Sequence, residues 1–130
     1  AWMEYWRVFG EFAGDPTRTD LTDTQRVTTG DAQNSIIETI RSLREANIRF
    51  LGGLAFSAIE IQEPTQRPDG LRESVVTYCL DRSSVRNVDA TTGTAIENTG
   101  QMTGLETVSM VEGLDSTWRV SAISGGEDPC

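Results

Sequence analysis

Histidine and lysine are both absent from this 130-residue chain, and cysteine occurs only twice. Without histidine, the side chain most often used for proton transfer near neutral pH and the commonest metal ligand are gone. Two cysteines far apart in sequence cannot complete a zinc site of the usual nitrogen and sulfur kind. Carboxylates, Tyr5, Tyr78 and backbone groups are left to carry any chemistry, and no cofactor is expected. All 11 cations are arginines, a bias that reads as genome composition rather than as guanidinium-specific recognition.

Long apolar runs are also missing. The longest extend only a few residues, far short of the roughly 18 that a spanning helix needs, so the chain as given is expected to be soluble. It begins at Ala1 with no charged-then-apolar leader, and the expectation is that any targeting segment has already been removed. Acidic residues outnumber basic ones 20 to 11, for a formal charge of −9. Long-range repulsion then excludes nucleic acid as a partner, and a membrane could be reached only through an anchor outside this chain.

What is present suffices for one folded domain spanning residues 1–130. Apolar residues make up 37% and charged residues 24%, well clear of the composition at which a chain cannot bury enough surface to fold.

The first third reads as helical. Trp2, Tyr5, Trp6, Phe9, Phe12 and Ala13 recur at the spacing of one helical face, with Glu4, Arg7 and Glu11 opposite, until Gly14-Asp15-Pro16 stops the pattern. A short helical turn is expected near residues 21–27. A longer helix follows to about Ala46, capped by Thr28 or Thr29, with Asp31 in its first turn, an apolar stripe of Ile36, Ile37, Ile40 and Leu43, and Asn47 as its left-handed terminator.

From Ile48 the period changes from 3.6 to 2. Residues 48–62 read as a strand interrupted at Gly52-Gly53, where a bulge or sharp bend is expected. A turn containing Pro64, Pro68 and Asp69-Gly70 leads to a strand over 71–81, a shorter one over 85–89, a turn over 90–94, and two further strands over 103–113 and 116–124. Helices before a meander of antiparallel strands predict an α+β domain, with the helices packed on one face of the sheet. Trp6, Phe9, Ile36, Ile40, Val76 and Val108 are expected in its core. On the Tyr78 strand, Val76, Tyr78 and Leu80 should point one way and Val75 and Cys79 the other.

This layout resembles the cone-shaped fold named after nuclear transport factor 2 (NTF2), shared by ketosteroid isomerases and SnoaL-like polyketide cyclases, over nearly the whole chain. The resemblance implies a strongly bent sheet wrapped around helices and enclosing a pocket. Within that NTF2-like group the chain is similar to small extracytoplasmic actinobacterial proteins, secreted or held as lipoproteins. The shared features are an aromatic first helix, Thr29-Gly30 before the long helix, Cys79-Leu80-Asp81 on a strand, Asp115-Ser116-Thr117-Trp118-Arg119-Val120 in the last strand, and a cysteine at the end. Ser116 and Thr117 depart from the glycine and arginine more common in that last motif.

Two readings of Cys79 and Cys130 compete: a pair of free thiols, or a bridge. An even count, a Gly-rich tail able to reach back, and the resemblance together favour a Cys79–Cys130 disulfide, which on chain-entropy grounds would contribute about 4 kcal/mol and would imply an oxidising compartment.

Enzymes of the resembled fold carry an acid or base in the cone. Asp81 and Tyr78 are the candidates here, with Glu60, Glu106 and Asp31 behind them; a desolvated carboxylate could take a proton from carbon while a tyrosine steadies the enolate. Each also has a plainer role: Asp81 ending its strand on Ser83, Tyr78 filling core, Asp31 serving a helix start. Lack of histidine removes the His-Asp arrangement of the dehydratase and SnoaL relatives. Asp15, Asp20 and Asp23 lack the spacing of an EF-hand and read as a solvated loop.

The expectation is therefore a non-catalytic extracytoplasmic accessory domain that binds a protein partner or a small hydrophobic ligand. The alternative is an isomerase- or cyclase-like enzyme acting on a small hydrophobic carbonyl compound. A cone holding one desolvated carboxylate against a tyrosine would favour the enzyme, and a cone filled by its own tryptophans and phenylalanines would favour the accessory domain.

Overall fold

The computed structural model describes residues 1–97 and 100–130. Three helices come first, α1 (Trp2–Gly14), α2 (Thr24–Val27) and α3 (Asp31–Glu45). Among the described residues eight strands follow: β1 (Ile48–Leu51), β2 (Ala55–Ile61), β3 (Thr65–Gln66), β4 (Arg72–Asp81), β5 (Arg86–Asp89), β6 (Ala95–Ile96), β7 (Thr103–Glu112) and β8 (Trp118–Gly125). The pairings between these strands are antiparallel, and the class is α+β.

Helix α1 forms for the reason its spacing announces. Trp2, Tyr5, Val8, Phe9, Phe12 and Ala13 are buried on one side, while Arg7 on the other is ion-paired with both Glu4 and Glu11. Asp15 leaves the helix in an extended conformation, as a residue before proline tends to do. Helix α3 buries Ala32, Ile36 and Ile40 and is followed by Asn47 at φ 57°, in the left-handed region that asparagine tolerates.

The start of α3 differs from expectation. Its N-cap is Gly30, with no side-chain cap, and the two threonines make other bonds. Thr28 is fully buried and donates its hydroxyl to the Thr24 carbonyl at 2.7 Å. The Thr29 N–H donates to the Val120 carbonyl at 2.8 Å, beside a parallel bridge between Thr28 and Val120. The Thr29 bond and the bridge attach the α2–α3 connection to strand β8.

The strands form two sheets rather than one meander. The larger runs β2-β4-β7-β8, with β3 also pairing β4, and the smaller runs β1-β5-β6. Gly52-Gly53 therefore separates two strands belonging to different sheets. Gly52 has φ +90°, and a Cβ on it would lie 2.3 Å from the Ser84 carbonyl oxygen, so only glycine lets the chain turn out of one sheet and into the other at that close approach.

The helices pack against the face of the larger sheet that carries Val76, Tyr78 and Leu80. Val108, Met110 and Val120 continue that buried surface across β7 and β8, and Phe9, Ile36 and Ile40 meet it from the helices. Trp6, expected in the core, is half-buried and packs against its rim. Register shifts on the two flanks of the sheet, at Ser57/Glu60 in β2 and opposite Ser109/Met110 in β8, are bulges of the kind that bend strands and sharpen their twist. In β8 the extra residue is Ser121, whose hydroxyl donates to the Ser109 carbonyl at 3.1 Å.

Cys79 and Cys130 form a disulfide. The tail before Cys130 is hydrogen-bonded rather than loose: Gly126 donates to the Leu105 carbonyl at 2.7 Å, and Leu105 donates to the Asp128 carbonyl at 2.9 Å. Gly104 permits this return, since a Cβ there would stand 2.7 Å from the Gly126 carbonyl oxygen.

Candidate functional site

The alternation of β4 delivers Tyr78 to the helix-covered face, and the register sets Glu106 of β7 directly opposite it. Side chains opposite one another in an antiparallel pair share a face. The Tyr78 hydroxyl accordingly donates to Glu106 Oε1 at 2.7 Å. Tyr78 is fully buried, and its ring is enclosed by aromatic neighbours, with centroids 4.8 Å from Trp2 and 5.3 Å from Phe56. Trp2 meets Phe56 edge-on at 5.0 Å.

Burial, then the hydrogen bond to Glu106 and that group's negative charge, hold the Tyr78 phenol far above the ordinary tyrosine range. The indole N–H groups of Trp2 and Trp6 lie close enough to pull the other way, although neither closes a hydrogen bond of good geometry. Tyr5, also buried, is pushed up to about 12 by desolvation and then by the charge of Glu106. The phenols are thus held protonated, as donors.

Glu106 also borders a pocket of about 350 Å³. Trp6, Phe9, Phe50 and Leu54 form its apolar wall, and Arg82 and Gln101 stand at its exposed side. Trp6 meets Phe9 at 5.9 Å and Phe9 meets Phe50 at 5.7 Å, both nearly perpendicular. A second, more apolar groove of about 570 Å³ lies at the other end of the sheet, bordered by Met3, Ile59, Ile61, Met110 and Trp118. Met3, Ile59 and Ile61 there are exposed.

The remaining candidates lie apart from this pair. Asp81 accepts the backbone N–H of Ser83 at 2.8 Å, and bonds from the Ser83 hydroxyl and N–H hold its carboxyl below the usual range. A proton-abstracting base in an apolar cone would show the opposite shift. Glu60 sits on the exposed strand β2, and Asp31 occupies the first turn of α3. Asp15 and Asp20 accept the N–H groups of Thr17 and Thr22, each at 3.0 Å, and Asp23 pairs with Arg26 at 2.9 Å. Among the described residues, no group of three or more metal-binding side chains comes together.

Sequence reasoning thus named both members of the Tyr78–Glu106 pair without joining them. The joining signal was register: the two strands must align so that Cys79 faces Leu105, and a slip of one position would have sent Glu106 to the opposite face.

No family model matches the chain, and no curated protein matches it. Among solved structures it is similar to the intermembrane space region of chloroplast protein ARC6, with a TM-score of 0.53 at 9% identity, covering 96% of this chain and 93% of that one. At that identity the likeness is one of fold.

Proposed function

We propose that this chain is a non-catalytic, extracytoplasmic domain of NTF2-like cone architecture that binds a ligand or a partner protein. The observation that carries the non-catalytic reading is the state of Tyr78. Its hydroxyl is spent on Glu106 and its ring is closed in by Trp2 and Phe56, so the phenol that would steady an enolate does not face open space. A tyrosine serving an oxyanion must instead present its proton to the place where substrate oxygen will lie.

The Cys79–Cys130 bond supports the extracytoplasmic address, since such bonds persist in oxidising compartments. The fold likeness to an intermembrane-space region agrees with it. Exposed Met3, Ile59 and Ile61 beside the larger groove offer apolar surface to a protein partner.

The second reading, an isomerase-like enzyme, is favoured by one feature: Glu106 borders a pocket and is oriented by Tyr78. Proton exchange separates the two. The chain is incubated in heavy water with a panel of small hydrophobic ketones, and deuterium incorporation next to the carbonyl is followed by NMR. The expected rate is that of buffer alone. Exchange above buffer that disappears in Glu106→Gln would overturn the non-catalytic reading.

A further inference from the structure

Among the described residues no arginine is ion-paired with Glu106. Among the described residues its hydrogen-bond donor is the neutral phenol of Tyr78, and the ion pairs of the chain engage Glu4, Glu11, Asp23, Asp69, Glu112 and Asp115 instead. Arg82 borders the same pocket, but it is exposed and donates to the Gln101 carbonyl at 3.0 Å, which keeps its guanidinium at the rim. Beside that arginine, the pocket lining combines one carboxylate with aromatic walls from Trp6, Phe9 and Phe50.

We propose that this pocket binds a small organic ammonium compound, its cationic head against the Glu106 carboxylate and its alkyl groups between Trp6, Phe9 and Phe50. Three arguments converge on that class. A carboxylate beside π-faces attracts cations electrostatically, and a quaternary or alkylated ammonium, weakly hydrated, gives up little solvation on entering. Perpendicular neighbouring rings, such as Trp6 against Phe9 and Phe9 against Phe50, present both faces and edges and so wall a rounded group rather than a flat one. A volume of about 350 Å³ is at the small end of ligand pockets.

Long-range charge agrees with the local chemistry. With a formal charge of −9 the chain raises the concentration of cations near its surface and disfavours anions of the same size. The inference deepens the binding reading above, since it takes Glu106 as a counter-ion rather than as a base.

The test uses the intact, oxidised protein and two probes: choline, and its neutral carbon isostere with a quaternary carbon in place of the nitrogen. Binding is followed by heteronuclear NMR, with the Trp6 indole N–H and the Glu106 amide as reporters and Trp118 as a control remote from the pocket. Choline should move the first two signals saturably, with at least about tenfold higher affinity than the isostere. Glu106→Gln retains an acceptor for Tyr78 and should remove that preference while leaving the isostere unchanged. Phe50→Leu should weaken choline while leaving Glu106 in place.

Equal binding of the two probes, unchanged choline affinity in Glu106→Gln, or no saturable shift at Trp6 by millimolar choline would each overturn the proposal. Shifts confined to Trp118 would overturn it too, by assigning the ligand to the other groove. None of these results alters the ketone exchange measurement, so the pocket's ligand class and the absence of catalysis stand or fall separately.

Discussion

Cys79 is bonded to Cys130, with their Cα atoms 5.8 Å apart although the residues are 51 positions apart in sequence. Cys79 is buried on β4, whereas Cys130 ends an exposed segment. The bond therefore fixes a strand of the sheet to a tail that has only a few main-chain hydrogen bonds of its own. Closing a loop of that length restricts the unfolded chain far more than it restricts the folded one.

Cys130→Ser is expected to lower the unfolding free energy by about 4 kcal/mol in the loop-entropy limit, read as a lower denaturant midpoint with an altered slope. Reduction of the wild-type protein should give a similar loss. Labelling of freshly purified, unreduced protein should find no free thiol after unfolding; two reactive thiols would refute the bridge.

Stability should fall in alkali through the buried phenols. Tyr5 titrates near 10 when unfolded and is raised to about 12 when folded, and Tyr78 is raised in the same direction. Between those values the unfolded chain has lost protons that the native chain keeps, so the contribution is fully present below pH 10 and is lost as pH rises through the folded value. Denaturant midpoints measured from neutral pH to above pH 11 should decline, and Tyr5→Phe should flatten that decline. An identical slope in the variant would assign the loss to other groups.

Gly52→Ala and Gly53→Ala form a matched pair. The first places a methyl group 2.3 Å from the Ser84 carbonyl oxygen at φ +90°, while the second meets nothing within 4 Å. Gly52→Ala should cost several kcal/mol, in the range of severe backbone effects, roughly 3 or more. Gly53→Ala should stay within about 1 kcal/mol of wild type. Thermal unfolding of both variants checks the pair, and equal effects would mean that the β1–β2 connection does not need the close approach.

Thr28→Val keeps shape and removes one hydroxyl. The lost bond to the Thr24 carbonyl should cost about 1 kcal/mol. The larger expected effect is local: amide exchange should speed up at Thr29, whose N–H joins the α2–α3 connection to Val120. Unchanged protection at Thr29 would show that the bridge to β8 is held without the Thr28 hydroxyl.

Periodicity settled the helices and the class of fold, because a helical face is a property of residues three and four apart. Trp2, Tyr5, Phe9 and Phe12 share one face of α1 by their spacing alone. Asn47 marked the end of α3 for an equally local reason, its tolerance of positive φ. The alternation of Val76, Tyr78 and Leu80 against Val75 and Cys79 was likewise legible within one strand.

Tertiary structure decided the rest, since those features depend on which distant backbones meet. Thr28 and Thr29 had the chemistry of caps, yet the Thr28 hydroxyl bonds the Thr24 carbonyl, the Thr29 N–H bonds Val120 on β8, and Gly30 stands at the helix start. Gly52-Gly53 was visible as a break, but the separate partners of β1 and β2 were not, because strand pairing is set by long-range register rather than by neighbouring residues. Tyr78 and Glu106 stand 28 positions apart, and only the alignment of β4 with β7 puts a phenol and a carboxylate on one face as a single hydrogen-bonded pair.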